Sequence, residues 1–125
     1  MSRAVPNSRP AVLVVEDESV TRLNAMNMVE AAGCEAIGAL SADEAVRLLE
    51  TRTDIRAVFT DIHMSGSMDG LGLMRLMKDR WPSVPVLVAS GKTNIAPADL
   101  PHGVRFFAKP YLPVQIEAAL RQLIA

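Results

Sequence analysis

Asp61 closes the apolar run Ala57-Val58-Phe59-Thr60, and Glu16 and Asp17 close a second one, Val12-Leu13-Val14-Val15. If both runs are parallel strands, three carboxylates meet at one edge of a sheet. Like charges there repel by several kcal/mol unless a cation or a proton intervenes. Oxygen donors with nothing softer among them suit Mg²⁺. Two more polar residues follow apolar runs in the same sense, Ser90 after Val86-Leu87-Val88-Ala89 and Lys109 after Phe106-Phe107-Ala108. Three carboxylates, a hydroxyl and an ammonium are the parts needed to receive a phosphoryl group on a carboxylate. Metal and lysine neutralise the equatorial oxygens as charge shifts, and the hydroxyl donates a hydrogen bond. In that arrangement Asp61 is the nucleophile.

The elements that must position these residues follow from pattern. Ala11 to Val15 is continuously apolar, as a strand buried on both faces should be. Ser19 to Ala32 carries helix formers and Gly33 supplies a stop. The apolar residues of that helix (Val20, Leu23, Met26, Met28, Val29) spread around the cylinder, so part of its surface is expected to face a partner. Glu35 to Leu40 reads as a second strand, and Ser41-Ala42-Asp43-Glu44 as a capping box opening a helix with Ala45, Leu48 and Leu49 inward. Ile55 to Thr60 is the third strand. Asp69 can cap a helix in which Leu73, Met74, Met77 and Trp81 recur at helical spacing, ended by Pro82. Val84 to Ala89, Val104 to Ala108 and a helix from Leu112 to Ile124 complete the series, with Ile116, Ala119, Leu120 and Leu123 on one face and a Glu117–Arg121 pair on the other. Pro97 and Pro101 allow only a brief helix or a loop between Thr93 and Gly103. Strand and helix alternate five times, the pattern of a parallel sheet covered on both sides, in which ligands sit at the carboxyl ends of the strands.

Bulk properties bound the rest. The chain has 125 residues, half of them hydrophobic, enough for one packed domain, which we place at 10–125 after a flexible tail at 1–9. A net charge of −1, with 13 lysines and arginines scattered along the chain, argues against nucleic-acid binding. No apolar run is long enough for a membrane span or a signal peptide, so a cytoplasmic protein is expected. Cys34, the one cysteine, fits a reducing compartment and reads as a small buried residue.

Five segments in order, Val14-Val15-Glu16-Asp17-Glu18, Thr60-Asp61-Ile62-His63-Met64, Met68-Asp69-Gly70-Leu71, Ala89-Ser90-Gly91 and Lys109-Pro110-Tyr111, resemble the receiver domain of bacterial two-component response regulators, over roughly residues 10 to 125. The resemblance implies a flavodoxin-like, doubly wound α/β fold with a five-stranded parallel sheet in the order 2-1-3-4-5, here with a shortened or irregular fourth helix. It implies that Asp61 is phosphorylated, and that Mg²⁺ is held by Asp17, Asp61 and the backbone carbonyl of His63, with Glu16 acting through metal-bound water. Ser90 would bond the phosphoryl group and Lys109 pair with it, the Lys109-Pro110 bond being cis. Phe106 stands at the family's switch aromatic position, coupled to the Ser90 hydroxyl. The implied partners are a histidine kinase or a histidine phosphotransfer protein and a protein effector. The implied state is a monomer or a phosphorylation-dependent dimer. Activity would be limited to self-phosphotransfer and autodephosphorylation, so the domain would be no enzyme in the ordinary sense. We expect a stand-alone receiver, with a phosphate shuttle favoured over an effector because the 93–103 segment offers less output surface.

Four departures from the family pattern matter. Ser65 replaces a frequent proline, with Gly66-Ser67 loosening that loop. Phe106 lacks the hydroxyl of the usual tyrosine. The proline-bearing 93–103 segment replaces a full helix. His63 and Lys92 flank the site where hydrolytic water is tuned. Plainer roles are expected elsewhere: Glu18 a solvated acid, Asp69 a cap, the methionines core filler, and His63 and His102 too far apart for zinc. Gly70 and Gly72 do not make a dinucleotide fingerprint. Two rivals share the chemistry or the topology. A haloacid-dehalogenase-type phosphatase would need an aspartate at position 63, which is histidine. A flavodoxin-like FMN carrier would need a Ser/Thr-rich phosphate loop after strand one, where acid stands instead.

Overall fold

The computed structural model describes residues 9–62, 68–91 and 103–124. Its strands are β1 (Ala11–Val15), β2 (Glu35–Ala39), β3 (Ile55–Asp61), β4 (Val86–Ser90) and β5 (Val104–Ala108). The helices among the described residues are α1 (Ser19–Ala31), α2 (Ala42–Thr51), α3 (Gly70–Arg80) and α4 (Pro113–Ile124). The strands pair in parallel in the order β2-β1-β3-β4-β5. This is the expected doubly wound flavodoxin-like sheet.

Burial on both faces explains the unbroken apolar runs. Leu13, Val15, Val58, Val86 and Val88 point into the layer beneath α2 and α3, where Leu49, Leu73, Met74 and Met77 meet them. Their alternate neighbours, Val12, Val14, Ala57, Phe59, Leu87 and Ala89, point into the layer beneath α1 and α4, against Ala25, Val29, Ile116 and Leu120. Cys34 is buried in that second layer. The three central strands are thus fixed in register by side chains on two sides, since a slip of one residue would exchange the two layers.

Helix ends are set by local chemistry. Glu18, expected to be a solvated acid, is the N-cap of α1, its Oε1 accepting from the Thr21 amide and hydroxyl, each at 2.7 Å. At the other end Gly33 has φ of 87°, and the Gly33 and Cys34 amides donate to the Glu30 and Val29 carbonyls. This glycine-terminated stop takes the chain from α1 into β2. Ser41 caps α2 as expected, but Glu44 reaches back to the amide of Leu40 (2.6 Å) instead of that of Ser41. That bond ends β2 at Ala39, one residue earlier than the pattern suggests. Strand β4 begins at Val86 and not Val84, because Pro85 has no amide and the Val84 amide closes a turn onto Trp81. Helix α4 starts at Pro113, the position where its missing amide costs nothing, and Gln115 Oε1 accepts from the Leu112 amide at 2.8 Å. Asp69 caps α3 as expected, accepting from Gly72 at 2.9 Å, and Glu117 and Arg121 approach to 3.9 Å. The expectations for the 1–8 tail, for His63 to Ser67, and for Lys92 to His102, including the irregular fourth helix, lie outside the described residues.

One glycine is demanded by close approach. The Gly70 amide donates to the Ile62 carbonyl at 2.8 Å, and a Cβ at Gly70 would run into the Asp61 carbonyl oxygen and stand 2.7 Å from Ile62 Cα. The start of α3 is thereby pressed against the backbone leaving Asp61. Gly70→Ala should lower the unfolding free energy by about 1–3 kcal/mol, read as a lower urea midpoint with an unchanged slope. A midpoint equal to wild type would contradict the close approach.

Candidate functional site

Register brings the polar strand ends together. Val15 pairs with Thr60, so Glu16 and Asp17 leave β1 at the level of Asp61. Asp61 pairs with Ala89, and the ladder runs on beyond the strands through Ile62 N–H to Ala89 C=O (3.1 Å) and Lys109 N–H to Ser90 C=O (2.8 Å). The Lys109-Pro110 peptide is cis, as expected. Lys109 Nζ donates to Asp61 Oδ2 at 2.8 Å, with the two side chains 30% and 14% exposed. A pair so sheltered is screened far less than one on the open surface.

The acid around this pair is crowded. Glu16 is only 6% exposed, and its carboxyl is pushed up to about 7, first by burial and further by a hydrogen bond with Asp17 and the charge of Asp61. The Glu18 amide, donating to Glu16 Oε2 at 2.9 Å, and the Lys109 ammonium pull the other way. For Lys109, burial by itself would weaken the hold on its proton. The hydrogen bond and charge of Asp61, with Glu16 behind it, more than offset that and raise its pKa above the ordinary lysine value. Ser90, at the end of β4, is fully buried. Asp17 is exposed at the mouth. Burial raises the Tyr111 phenol as well, and its ring meets Phe59 edge-on with centroids 6.0 Å apart. Between these rings, Thr21 and the Asp61–Lys109 pair lies a cavity of about 20 Å³, room for one water.

Of the residues singled out in the sequence, the fold gathers Glu16, Asp17, Asp61, Ser90 and Lys109 at one sheet edge. His63 lies outside the described residues. Phe106 pairs with Val88 in β5 and is half-buried against the α2–α3 layer, one strand from Ser90. Among the described residues no three acidic, histidine or cysteine side chains form a ready metal cage. The donor chemistry nevertheless fits Mg²⁺, which takes one or two carboxylates and keeps several waters. Burial chiefly raises the Glu16 carboxyl, and beside it the charge of Asp61 raises it further while Lys109 pulls it down.

Three contributors to the site escaped the sequence reading. Gly70 admits α3 beside Asp61. Arg22 Nη1 donates to the Glu16 carbonyl at 3.0 Å. Tyr111 lines the cavity. Gly70 and Tyr111 stand inside motifs already quoted, so their positions carried a signal, whereas that of Arg22 carried none.

Comparison with known proteins agrees with this geometry. The sequence model for the response regulator receiver domain matches residues 12–121. A putative NtrX-like response regulator of Rickettsia felis is 36% identical over 89 residues, 70% of this chain. The chain spans 18% of that relative's length. The crystal structure of a response regulator receiver protein from Pseudomonas putida superposes with a TM-score of 0.82 at 31% identity, covering 92% of this chain and 98% of the other. The receiver domain of NtrX from Brucella abortus does so with a TM-score of 0.81 at 32% identity, covering 90% and 97%. With the strand order, the acid edge and the lysine already in place, the chain belongs to the response regulator receiver domain family of two-component signalling.

Proposed function

We propose that this receiver takes a phosphoryl group onto Asp61 from a phosphohistidine on a histidine kinase or a histidine phosphotransfer protein, in the presence of Mg²⁺. The observation that carries this reading is the 2.8 Å Lys109–Asp61 pair set beside the buried Glu16 carboxyl. Its placement leaves a nucleophilic carboxylate oxygen next to a fixed positive charge. An Asp61 oxygen attacks phosphorus, the P–O bond forms as the P–N bond to imidazole breaks, and the ring nitrogen keeps the electron pair. Lys109 then faces the phosphoryl oxygens instead of the unphosphorylated carboxylate. Ser90 donates its hydroxyl to them, and that bond draws on the packing of Phe106 to alter the β5 face, or the group is relayed onward. Asp17, Asp61 and the His63 main-chain carbonyl are the residues that would hold Mg²⁺, with Glu16 reached through water. Bound there, the ion would supply positive charge against the phosphoryl oxygens as negative charge builds on them.

The donor has a surface to meet. Val20 and Leu23 on α1 and Leu112 and Val114 at the start of α4 are each more than half exposed. They flank an open groove of about 710 Å³ lined by Thr21, Asn24, Met28, Lys109, Pro110 and Pro113, which leads to the Lys109 end of the site. An apolar helical face bearing the phosphohistidine suits such a groove. No helix among the described residues is long and apolar enough to cross a membrane.

Asp61→Asn should abolish phosphoryl uptake, read by phosphate-affinity electrophoresis after exposure to a small phosphoramidate donor and Mg²⁺, with circular dichroism unchanged. Labelling of this variant at the wild-type rate would overturn the assignment of Asp61. Lys109→Ala should leave a folded domain that still binds Mg²⁺ yet fails to switch. Its backbone NMR shifts in β4 and β5 should stay unmoved by beryllofluoride, where those of the wild type move. Equal shifts in both proteins would remove Lys109 from the mechanism.

A further inference from the structure

The loop between β1 and α1 presents Asp17, and three bonds tie it down from either side. Glu16 Oε2 holds the Glu18 amide, Glu18 caps α1 through Thr21, and Arg22 Nη1, one turn into the helix, returns to the Glu16 carbonyl at 3.0 Å. That carbonyl belongs to the peptide whose nitrogen is that of Asp17. The Arg22 stem reaches it across Gly38 of the edge strand β2, where a Cβ would lie 3.5 Å from Arg22 Cδ and 3.0 Å from Met26 Sδ. Glycine at that place in the strand leaves a slot over which the arginine lies. Glu16 thus ties the loop through main-chain partners, its carboxylate at the Glu18 amide and its carbonyl at Arg22, beside its side-chain hydrogen bond with Asp17.

We propose that Arg22 is a positioning residue for phosphoryl transfer: by holding the Glu16 carbonyl from α1 across Gly38, it fixes the peptide that presents Asp17 to the site. The inference rests on the function proposed above. A peptide plane free to turn about its flanking bonds moves the Asp17 Cα and scatters its carboxylate, while one held by a guanidinium keeps it aimed. Residues that orient a metal-binding carboxylate from behind typically contribute 10–100-fold to affinity or rate. The Arg22 charge reaches Glu18, whose carboxyl lies below its usual range first through its bonds to Thr21 and in small part through Arg22.

Two variants separate the bond from the packing. Arg22→Met keeps an apolar stem over Gly38 and removes the donor, and Arg22→Lys restores a donor. Calorimetric titration with MgCl₂ should give a Kd about tenfold weaker for Arg22→Met than for wild type. The lysine variant should recover most of that loss, and urea midpoints should be similar in all three. With acetyl phosphate as donor, the Mg²⁺ concentration for half-maximal phosphorylation should rise in Arg22→Met, while the rate at saturating Mg²⁺ stays near wild type. Wild-type Mg²⁺ affinity in Arg22→Met would overturn the inference and leave the proposed function standing. A drop in Mg²⁺ affinity matched by an equal loss of stability and not rescued by lysine would also overturn it. A wild-type protein that takes no phosphoryl group from either small donor would overturn the proposed function, and this inference with it.

Discussion

The ion pair between Lys109 and Asp61 is the contact on which the site depends. It joins the end of β5 to the end of β3 across β4, between partners 48 positions apart in sequence, and it stands beside the carboxyl groups of Glu16 and Asp17. Unit charges about 4 Å apart interact by roughly 4 kcal/mol at the effective dielectric of a protein surface. Glu16, Asp17 and Asp61 held at one sheet edge are therefore costly to assemble, and the charge of Asp61 adds to the burial that chiefly raises the Glu16 carboxyl. A single lysine offsets part of that cost. The remainder is an attraction for positive charge, which is the property a phosphoryl acceptor with a divalent ion needs.

Everything else in the fold serves to keep that edge in place. Parallel pairing of β1, β3 and β4 sends their ends to the same side, and the two-sided core holds their register. At the two places where the chain leaves β1 and β3, the main chain is held by a neighbouring helix. The Glu16 carbonyl is gripped by Arg22, and the Asp61 carbonyl oxygen lies where a side chain at Gly70 would begin. Glu16 and Asp61 thus sit on main chain that is held from behind. Rigid support with an exposed reactive end is how the site keeps an unfavourable charge cluster without spreading apart.

Most of the scaffold was legible in the sequence because its signals are local. The apolar runs at 11–15 and 104–108 match their strands residue for residue, Ser41 and Asp69 act as caps, and Gly33 takes the positive φ that ends α1. Asp61, Glu16 and Lys109 could be named because each follows an apolar run, and the strand order then brings them together. What could not be read depends on contacts between distant segments. Nothing around Arg22 tells that its guanidinium will reach Glu16 over Gly38, since that geometry exists only once β2 lies beside β1. Glu44 bonding Leu40 instead of Ser41, and Glu18, exposed as expected, also capping α1, are choices among nearby amides that a spacing rule does not distinguish. Glu16 was expected to act mostly through metal-bound water; one of its oxygens also accepts from the Glu18 amide, so the residue shapes the loop as well as the charge.

The claim that the acid edge takes up a divalent ion beside Lys109 is tested most directly by thermal unfolding of the unmodified wild-type chain, followed by circular dichroism with saturating Mg²⁺ and again with EDTA. If the carboxylates of Glu16, Asp17 and Asp61 bind a divalent ion only when folded, Mg²⁺ should raise the midpoint by roughly several degrees, following the linkage between ligand and native state. Replacing Asp17 by Asn should erase most of the gain. Identical midpoints with and without the ion would show that Lys109 alone balances the edge, and would contradict the account.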